Sequence, residues 1–242
     1  MAEGAGRVLV VTSFFSSDSL VEETVATFGA GADLHLVPVE PDADVPACAR
    51  PHLAHTKLGV DPEVFQPCKK WRSVEAVLDR VDLADYDWAM FPDDDLEYGD
   101  GFLPSFLGLL HEHDVALAQP ALTPDSFHTY DLCVRREGVR LRYTNFVEVM
   151  APCFRIDCLR ALRSTLASAI SPMGYGFDLH WPHACAAAGF KMAIVDATPI
   201  AHRSRPTGTH YGGDDLHGQG YAYGSRFPRI LLHEMTELGR VV

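Results

Sequence analysis

Three consecutive acids, Asp93, Asp94 and Asp95, close the stretch 86–95 (Tyr-Asp-Trp-Ala-Met-Phe-Pro-Asp-Asp-Asp), directly after aromatic and aliphatic residues that suit a buried strand. Open α/β sheets bind their ligands at the carboxyl ends of strands. Carboxylates crowded there repel one another unless a cation joins them, and hard oxygen donors suit Mg²⁺ or Mn²⁺. A solvated acidic turn would have the same sequence, so the triplet gains meaning only from its surroundings. Two further carboxylates qualify. Glu148 lies in the apolar stretch 145–154, where an unpaired buried charge is expensive; it is either exposed on an edge or functional. Asp178 follows Gly174-Tyr175-Gly176-Phe177 at the expected start of a helix. There it either caps the helix, worth ~1 kcal/mol, or presents a carboxylate to a cleft. The glycines flanking Tyr175 let backbone pass close to a ligand.

Lys69 and Lys70 are two of only four lysines in the chain. At a helix start they either snorkel or meet a phosphate or sugar. His52 with His55, and His180 with His183, stand three apart but read as surface or packing residues rather than metal pairs.

The elements that must position these groups follow from periodicity. Residues 7–15 form a continuous apolar, β-branched run that fits a strand buried on both faces. Residues 16–19 turn and cap, 20–28 have helical spacing, and 34–39 give a second strand. Residues 40–67 read as loop. An apolar stripe at Val74, Val77, Leu78 and Val81 makes 72–81 a helix. Beyond the acids, a turn at 99–101 leads to a helix reaching His111, with Pro104 in its first turn. Further strands are expected at 115–118, 145–154 and 191–196, the last of the set. Residues 123–143 read as polar and irregular, and Asp157 as the cap of a helix carrying Leu159, Leu162 and Leu166. Residues 203–225 are glycine-rich and read as a mobile loop, and 231–238 as a short closing helix. The fold class is α/β, a single domain over 1–242 with a Rossmann-like mixed sheet flanked by helices.

Composition narrows the partners. The 242-residue chain fits one large domain, and 47% apolar with 22% charged residues is ordinary globular composition. A net charge of −13 argues against a nucleic-acid partner, because phosphate backbones need a basic face. It leaves nucleotides open, since a divalent cation can mediate phosphate binding on an acidic protein. No apolar run approaches the roughly 20 residues of a membrane span, and the first residues do not read as a signal peptide. Six cysteines without a Cys-x-x-Cys pair read as reduced thiols, so a cytoplasmic location is expected.

The ordered pieces Lys69-Lys70-Trp71, the acid triplet, Gln119-Pro120-Ala121-Leu122, Val147-Glu148-Val149-Met150-Ala151-Pro152, Tyr175-Gly176-Phe177-Asp178 and Val195-Asp196 followed by His202 resemble the DUF707 family. That family is similar to GT-A glycosyltransferases, metal-dependent enzymes with a nucleotide-sugar-binding α/β fold. The resemblance covers roughly residues 60–207, with Tyr175 standing where the family usually has Trp. It implies a nucleotide-sugar donor, an acceptor that is a small molecule or glycan, and Mn²⁺ or Mg²⁺ as cofactor. It also implies Asp95 and His202 as metal ligands, with Asp93 shared between metal and nucleotide, and a donor site drawing on Asp94, Lys69 and Lys70. Gln119, Tyr175 and Gly176 would meet substrate, and Arg203 and Arg205 would close over the leaving diphosphate. Asp178 would be the general base for in-line, inverting attack by the acceptor hydroxyl, with Glu148 as runner-up or as a sugar-binding acceptor.

Two other readings compete. A nucleotidyltransferase of related fold should carry a glycine-rich phosphate loop after its first strand, where this chain has Thr12-Ser13-Phe14-Phe15-Ser16-Ser17. A catalytically silent nucleotide- or carbohydrate-binding protein would bind donor without turnover.

Overall fold

A computed structural model describes residues 6–15, 19–40, 44–203 and 215–242. The chain opens with β1 (Val8–Phe14), α1 (Val21–Phe28) and β2 (Asp33–Pro38), as the apolar runs predict. A short helix α2 (Ala54–Leu58) and then α3 (Lys70–Leu78) lead to β3 (Trp88–Met90), the strand before the acids. There follow β4 (Leu96–Tyr98), α4 (Phe102–Glu112), β5 (Leu117–Leu122), β6 (Leu141–Thr144) and β7 (Cys153–Arg155). The remainder is α5 (Ile156–Leu162), α6 (Phe177–Ala188), β8 (Met192–His202), α7 (Leu216–Gly224) and β9 (Glu237–Val241).

All nine strands join one mixed sheet in the order β2-β1-β3-β7-β5-β8-β6-β9, with β4 pairing β8. β1 runs parallel to both β2 and β3, and β5 parallel to β8; β7 is antiparallel between β3 and β5. Side chains alternate across a strand, and β1 shows the result. Val8 and Val10 enter one core with Phe28 of α1 and Phe102 and Phe106 of α4. Leu9 and Val11 enter the other with Trp71 and Val77 of α3, Leu159 of α5 and Trp181 of α6. The outcome is a three-layer α/β/α sandwich. No helix among the described residues is long and apolar enough to cross a membrane.

Several segments differ from their sequence expectation, each for a physical reason. Within 145–154 only the end belongs to a strand. The earlier part turns because side chains, not a ladder, take its backbone groups: Gln119 Oε1 accepts from Glu148 N, and Lys70 Nζ donates to the Val149 and Met150 carbonyls. The strand expected from Val115 and ending in Gln119-Pro120-Ala121-Leu122 begins at Leu117, and those four residues are the buried end of β5. Asp157 is not the cap of α5, whose N-cap is Arg155; its carboxylate accepts from Cys158 N and from that arginine.

The glycine-rich 203–225 is not all loop, since α7 occupies 216–224. Asp215 caps it, accepting from Gly218 N at 2.8 Å, and the buried Tyr223 stacks between Phe177 and Phe227 with ring centroids at 4.7 and 4.5 Å. Tertiary packing outweighs glycine's poor helix propensity there. Residues 231–238 hold a 3₁₀ turn and the start of β9, which pairs with β6, so β8 is not the last strand.

Residues 123–143 are not uniformly polar. Arg142 on β6 is fully buried with Asp196 of β8, its Nε and Nη2 donating to the two carboxylate oxygens at 2.9 and 3.0 Å. Its Nη1 donates to the Leu132 carbonyl and its Nη2 also to that of Val134, and Asp196 also accepts from Arg136 N at 2.6 Å. Removing one partner of such a pair strands the other charge. Asp196→Ala is therefore expected to destabilise the fold by about 3–5 kcal/mol in urea denaturation, whereas Asp131→Ala, at a solvent-exposed position in the middle of 123–143, should change it by less than about 0.5 kcal/mol.

Candidate active site

β3 ends at Met90, and the chain then runs beside the 150–152 turn, with Phe91 N donating to Pro152 O at 3.0 Å and Asp93 N to Met150 O at 2.8 Å. This track sends the three acids in three directions. Asp93 Oδ1 accepts from Lys70 Nζ at 2.6 Å. Asp94 Oδ2 accepts from Phe15 N at 2.8 Å, and its carbonyl accepts from Leu20 N at 2.6 Å, so it staples the end of β1 and the start of α1. Asp95 Oδ2 stands 3.1 Å from His202 Nε2. β4 and β8 create that last pairing, because Leu96 and His202 are opposite each other in their antiparallel ladder.

The His202 ring has its orientation fixed from the far side. Its Nδ1 donates to the Phe127 carbonyl at 2.7 Å, which leaves Nε2 facing Asp95. A neutral imidazole would then aim a lone pair at a carboxylate. Either a proton or a metal ion must lie between them. Burial opposes the proton, but the hydrogen bond and charge of Asp95 prevail and raise the imidazole to about 9. The second carboxylate oxygen, Asp95 Oδ1, is buried without a hydrogen-bond partner.

Glu148 and Asp178 complete the group. Burial first, and then the charges of Asp178 and Asp93, push the Glu148 carboxyl up to about 7, and its Oε2 is buried without a hydrogen-bond partner. Burial likewise raises Asp178 to about 7, against the opposing pull of backbone hydrogen bonds, among them Leu179 N at 3.0 Å. Asp178 is not the helix cap; Gly176, at φ +95°, holds that position at the start of α6. The tyrosines around these acids are raised as well. Tyr175 is raised by burial and the charges of Asp93, Asp178 and Glu148, and Tyr130 by burial and those of Asp178 and Glu148. Tyr130 was not among the expected site residues. An aromatic inside a polar loop carries no signal that it will fold back over carboxylates distant in sequence.

Other expected site residues are placed differently. Gln119, 2% exposed, supports the Glu148 backbone rather than lining an open surface. Gly176 and Gly174 serve packing, since a Cβ on Gly176 would meet Tyr223 at 3.1 Å and one on Gly174 would meet Trp71 Nε1 at 2.2 Å. Lys69 is the half-buried N-cap residue of α3. Arg203 is held by Glu97 and Asp125, at 2.7 and 2.8 Å, rather than turned toward the acids. Arg205, and the stretch 204–214 of the expected loop, lie outside the described residues. His180 is a packing residue, its Nδ1 at 2.6 Å from the Pro228 carbonyl.

For a metal, Asp95 and His202 offer one oxygen donor and one imidazole, and Asp95 Oδ1 is a buried acceptor without a hydrogen-bond partner. That donor set suits Mn²⁺ or Mg²⁺. Among the described residues no three His, Cys, Asp or Glu side chains form a ready metal set. A cation held there would take its remaining ligands from substrate and water.

No family model matches the chain, and no curated protein does. Solved structures do. Glucosyl-3-phosphoglycerate synthase from Mycobacterium tuberculosis, in complex with Mn²⁺, UDP-glucose and phosphoglyceric acid, superposes with a TM-score of 0.55 at 16% identity, covering 100% of this chain and 89% of that one. The chain has the GT-A glycosyltransferase fold. S. aureus TarS 1–349 gives a TM-score of 0.54 at 9% identity, over 94% of this chain and 76% of that one. GalNAc-T7 with UDP, GalNAc and Mn²⁺ gives 0.55 at 10% identity, over 84% of this chain, which spans 45% of the GalNAc-T7 chain.

Two expectations follow from this geometry. Asp94→Ala leaves Phe15 N without its acceptor and should cost about 1–3 kcal/mol in urea denaturation, while Asp94→Asn, which keeps an acceptor oxygen, should cost less. The second concerns pH. A carboxyl raised from 3.8 to about 7 holds its proton more tightly in the folded protein than in the unfolded chain. Its favourable contribution is complete below pH 3.8 and is lost as pH rises through 7, so ionised Asp178 burdens the fold above neutrality. Asp178→Asn should accordingly raise Tm more at pH 8 than at pH 5, read by differential scanning calorimetry.

Proposed function

We propose that this protein is a metal-dependent glycosyltransferase that moves a sugar from a nucleotide-sugar donor to an acceptor hydroxyl with inversion at the anomeric carbon. The observation that carries the reading is the Asp95–His202 pair at the ends of β4 and β8, with an unpartnered buried carboxylate oxygen and two carboxyls poised near neutrality close by. The motif resemblance to the DUF707 family supports it, as does a fold shared with structures solved with UDP or UDP-glucose and Mn²⁺.

Asp95 and His202 would hold Mn²⁺ or Mg²⁺, which supplies charge neutralisation for the departing diphosphate. The chain's own groups then divide the work. Asp178 accepts the acceptor's hydroxyl proton on its carboxylate, and the acceptor oxygen forms a bond to the anomeric carbon. The bond from that carbon to the diphosphate oxygen breaks, and the diphosphate leaves with the electron pair. A base with a pKa near 7 is matched to this task at physiological pH. Glu148, protonated over part of the same range, can donate its proton in a hydrogen bond to a sugar hydroxyl or accept one when ionised. Tyr130 and Tyr175 offer amphipathic rings of the kind that pack on sugars.

The donor reading is tested by thermal shift. UDP with Mn²⁺ should raise the wild-type Tm by mass action, and Asp95→Ala should abolish the Mn²⁺-dependent part while folding normally. Equal stabilisation of Asp95→Ala and wild type would reduce the triplet to an acidic turn. The base is tested by Asp178→Asn, which should keep UDP and Mn²⁺ binding yet lower transfer by about 10²–10⁴. The wild-type rate should rise with pH through an apparent pKa near 7. Near-normal transfer by Asp178→Asn would move the role to Glu148.

A further inference from the structure

The stretch 216–233 has a composition unlike the rest of the chain. The protein carries 33 acidic residues, yet none falls within Leu-His-Gly-Gln-Gly-Tyr-Ala-Tyr-Gly-Ser-Arg-Phe-Pro-Arg-Ile-Leu-Leu-His. Arg226 and Arg229 stand there beside Ile230, Leu231 and Leu232.

The fold uses the inward side of this stretch. Tyr223 is fully buried and donates its hydroxyl to Thr165 O at 2.8 Å, and Phe227 packs on its ring. Ile230 N donates to Leu179 O at 2.9 Å, and Pro228 O stands 2.6 Å from His180 Nδ1. Leu231 N donates to Glu234 Oε2 at 2.6 Å. Asn145 holds the turn from the other side, donating to Glu234 O at 2.8 Å and accepting from Thr236 N at 2.7 Å. With the backbone pinned at these points, Leu231 and Leu232 stand outward, 51% and 55% exposed. Arg226 and Arg229 are exposed too, and neither forms an ion pair among the described residues. The next acids along the chain are already engaged, Glu234 by Leu231 N and Glu237 by Arg240 at 2.6 Å. Single exposed apolar residues are ordinary. Two adjacent leucines fixed outward beside two unpaired arginines are not, and they combine the apolar and cationic contacts of an interfacial segment.

We propose that this edge docks on an anionic phospholipid bilayer, with Arg226 and Arg229 at the lipid phosphates and Leu231 and Leu232 in the headgroup boundary. The rest of the chain supplies the orientation. Its net charge is −13, so an anionic surface repels the body of the protein and draws this edge. The leucines favour a bilayer over a purely acidic partner, whose charges would leave them in water. Contact of this kind is peripheral and needs no spanning helix. The edge is tied to Leu179 and His180, the residues after Asp178, so a docked bilayer would lie on the α6 side of the candidate site. The inference goes beyond the transfer reading and does not depend on it.

The test is co-sedimentation of the full chain with vesicles of phosphatidylcholine, alone or mixed with phosphatidylglycerol. Wild type should bind the mixed vesicles, leave the neutral ones, and release as sodium chloride is raised, because salt screens the arginine contacts. Arg226→Gln/Arg229→Gln should weaken binding about 10–30-fold. Leu231→Ser/Leu232→Ser should weaken it by about tenfold or more while keeping the salt dependence. All four side chains are exposed, so both double variants should melt with the wild type; if one does not fold, the other decides.

Undiminished binding by a folded double variant would overturn the proposal, as would equal binding to neutral and mixed vesicles or binding to neither. A wild-type dimer in sedimentation equilibrium that Leu231→Ser/Leu232→Ser abolishes, without vesicle binding, would make the edge an interface between copies of the chain instead.

Discussion

Like charges placed in sequence at the end of a buried strand cannot simply point together into a low-dielectric cleft; each must find a counter-charge, a donor or a proton. That constraint organises this protein's site. Asp93 is met by an ammonium, Asp94 by backbone N–H, and Asp95 by an imidazole. Each solution recruits a different part of the chain: α3 for the first, the β1–α1 connection for the second, and the β4–β8 ladder for the third. The acids are thus the place where the sheet's separate halves are tied together. Loss of repulsion alone would not explain why every partner arrives from a different element with so little freedom to move.

Local sequence was enough for those elements whose stability is local or whose burial pattern is regular. β1, α1, β2 and α3 follow from apolar runs and a single stripe, because each side of β1 meets a helix layer and each helix presents one face. The candidate site was legible to the same degree. Asp95 stands out in its acid triplet and Glu148 and Asp178 as carboxylates among apolar residues, and the structure gives each a perturbed environment or a buried unpartnered oxygen. What could not be read were features whose partners are far apart in the chain. Arg142 reads as one more charge in a polar segment until Asp196, fifty-four positions on, supplies its counter-ion. Tyr130 and the Lys70–Asp93 pair are invisible for the same reason. The 145–152 turn has strand composition, yet side chains from 70 and 119 capture the backbone groups that a ladder would have used.

Aromatic packing joins these long-range pieces. Trp71 sits among Phe91, Phe177 and Trp181, one residue after Lys70 and next to the helix that carries Asp178. Gly174 is required by that arrangement, since its φ of +84° and the 2.2 Å approach of a Cβ to the indole exclude a side chain. The glycines around Tyr175, which as sequence suggest a ligand approaching backbone, are instead where two helices and an indole close on one another. Asp178 on α6 and Lys70 on α3 are tied to one another because a single aromatic cluster holds both helices.

The same burial that makes Glu148 and Asp178 costly to the fold would make them serviceable as proton carriers in the proposed transfer. Each feels burial most, and Glu148 then feels the charge of Asp178, so ionisation of one raises the proton affinity of the other. Both carboxyls are therefore held up to about 7. Which carboxyl carries the proton depends on local support. Asp178 receives backbone N–H bonds that favour its ionised form, and Glu148 a hydrogen bond from Cys133 that does the same, although Glu148 Oε2 itself has no partner. Burial outweighs that support at both positions, which is why neither carboxyl falls back to the ordinary carboxylate range.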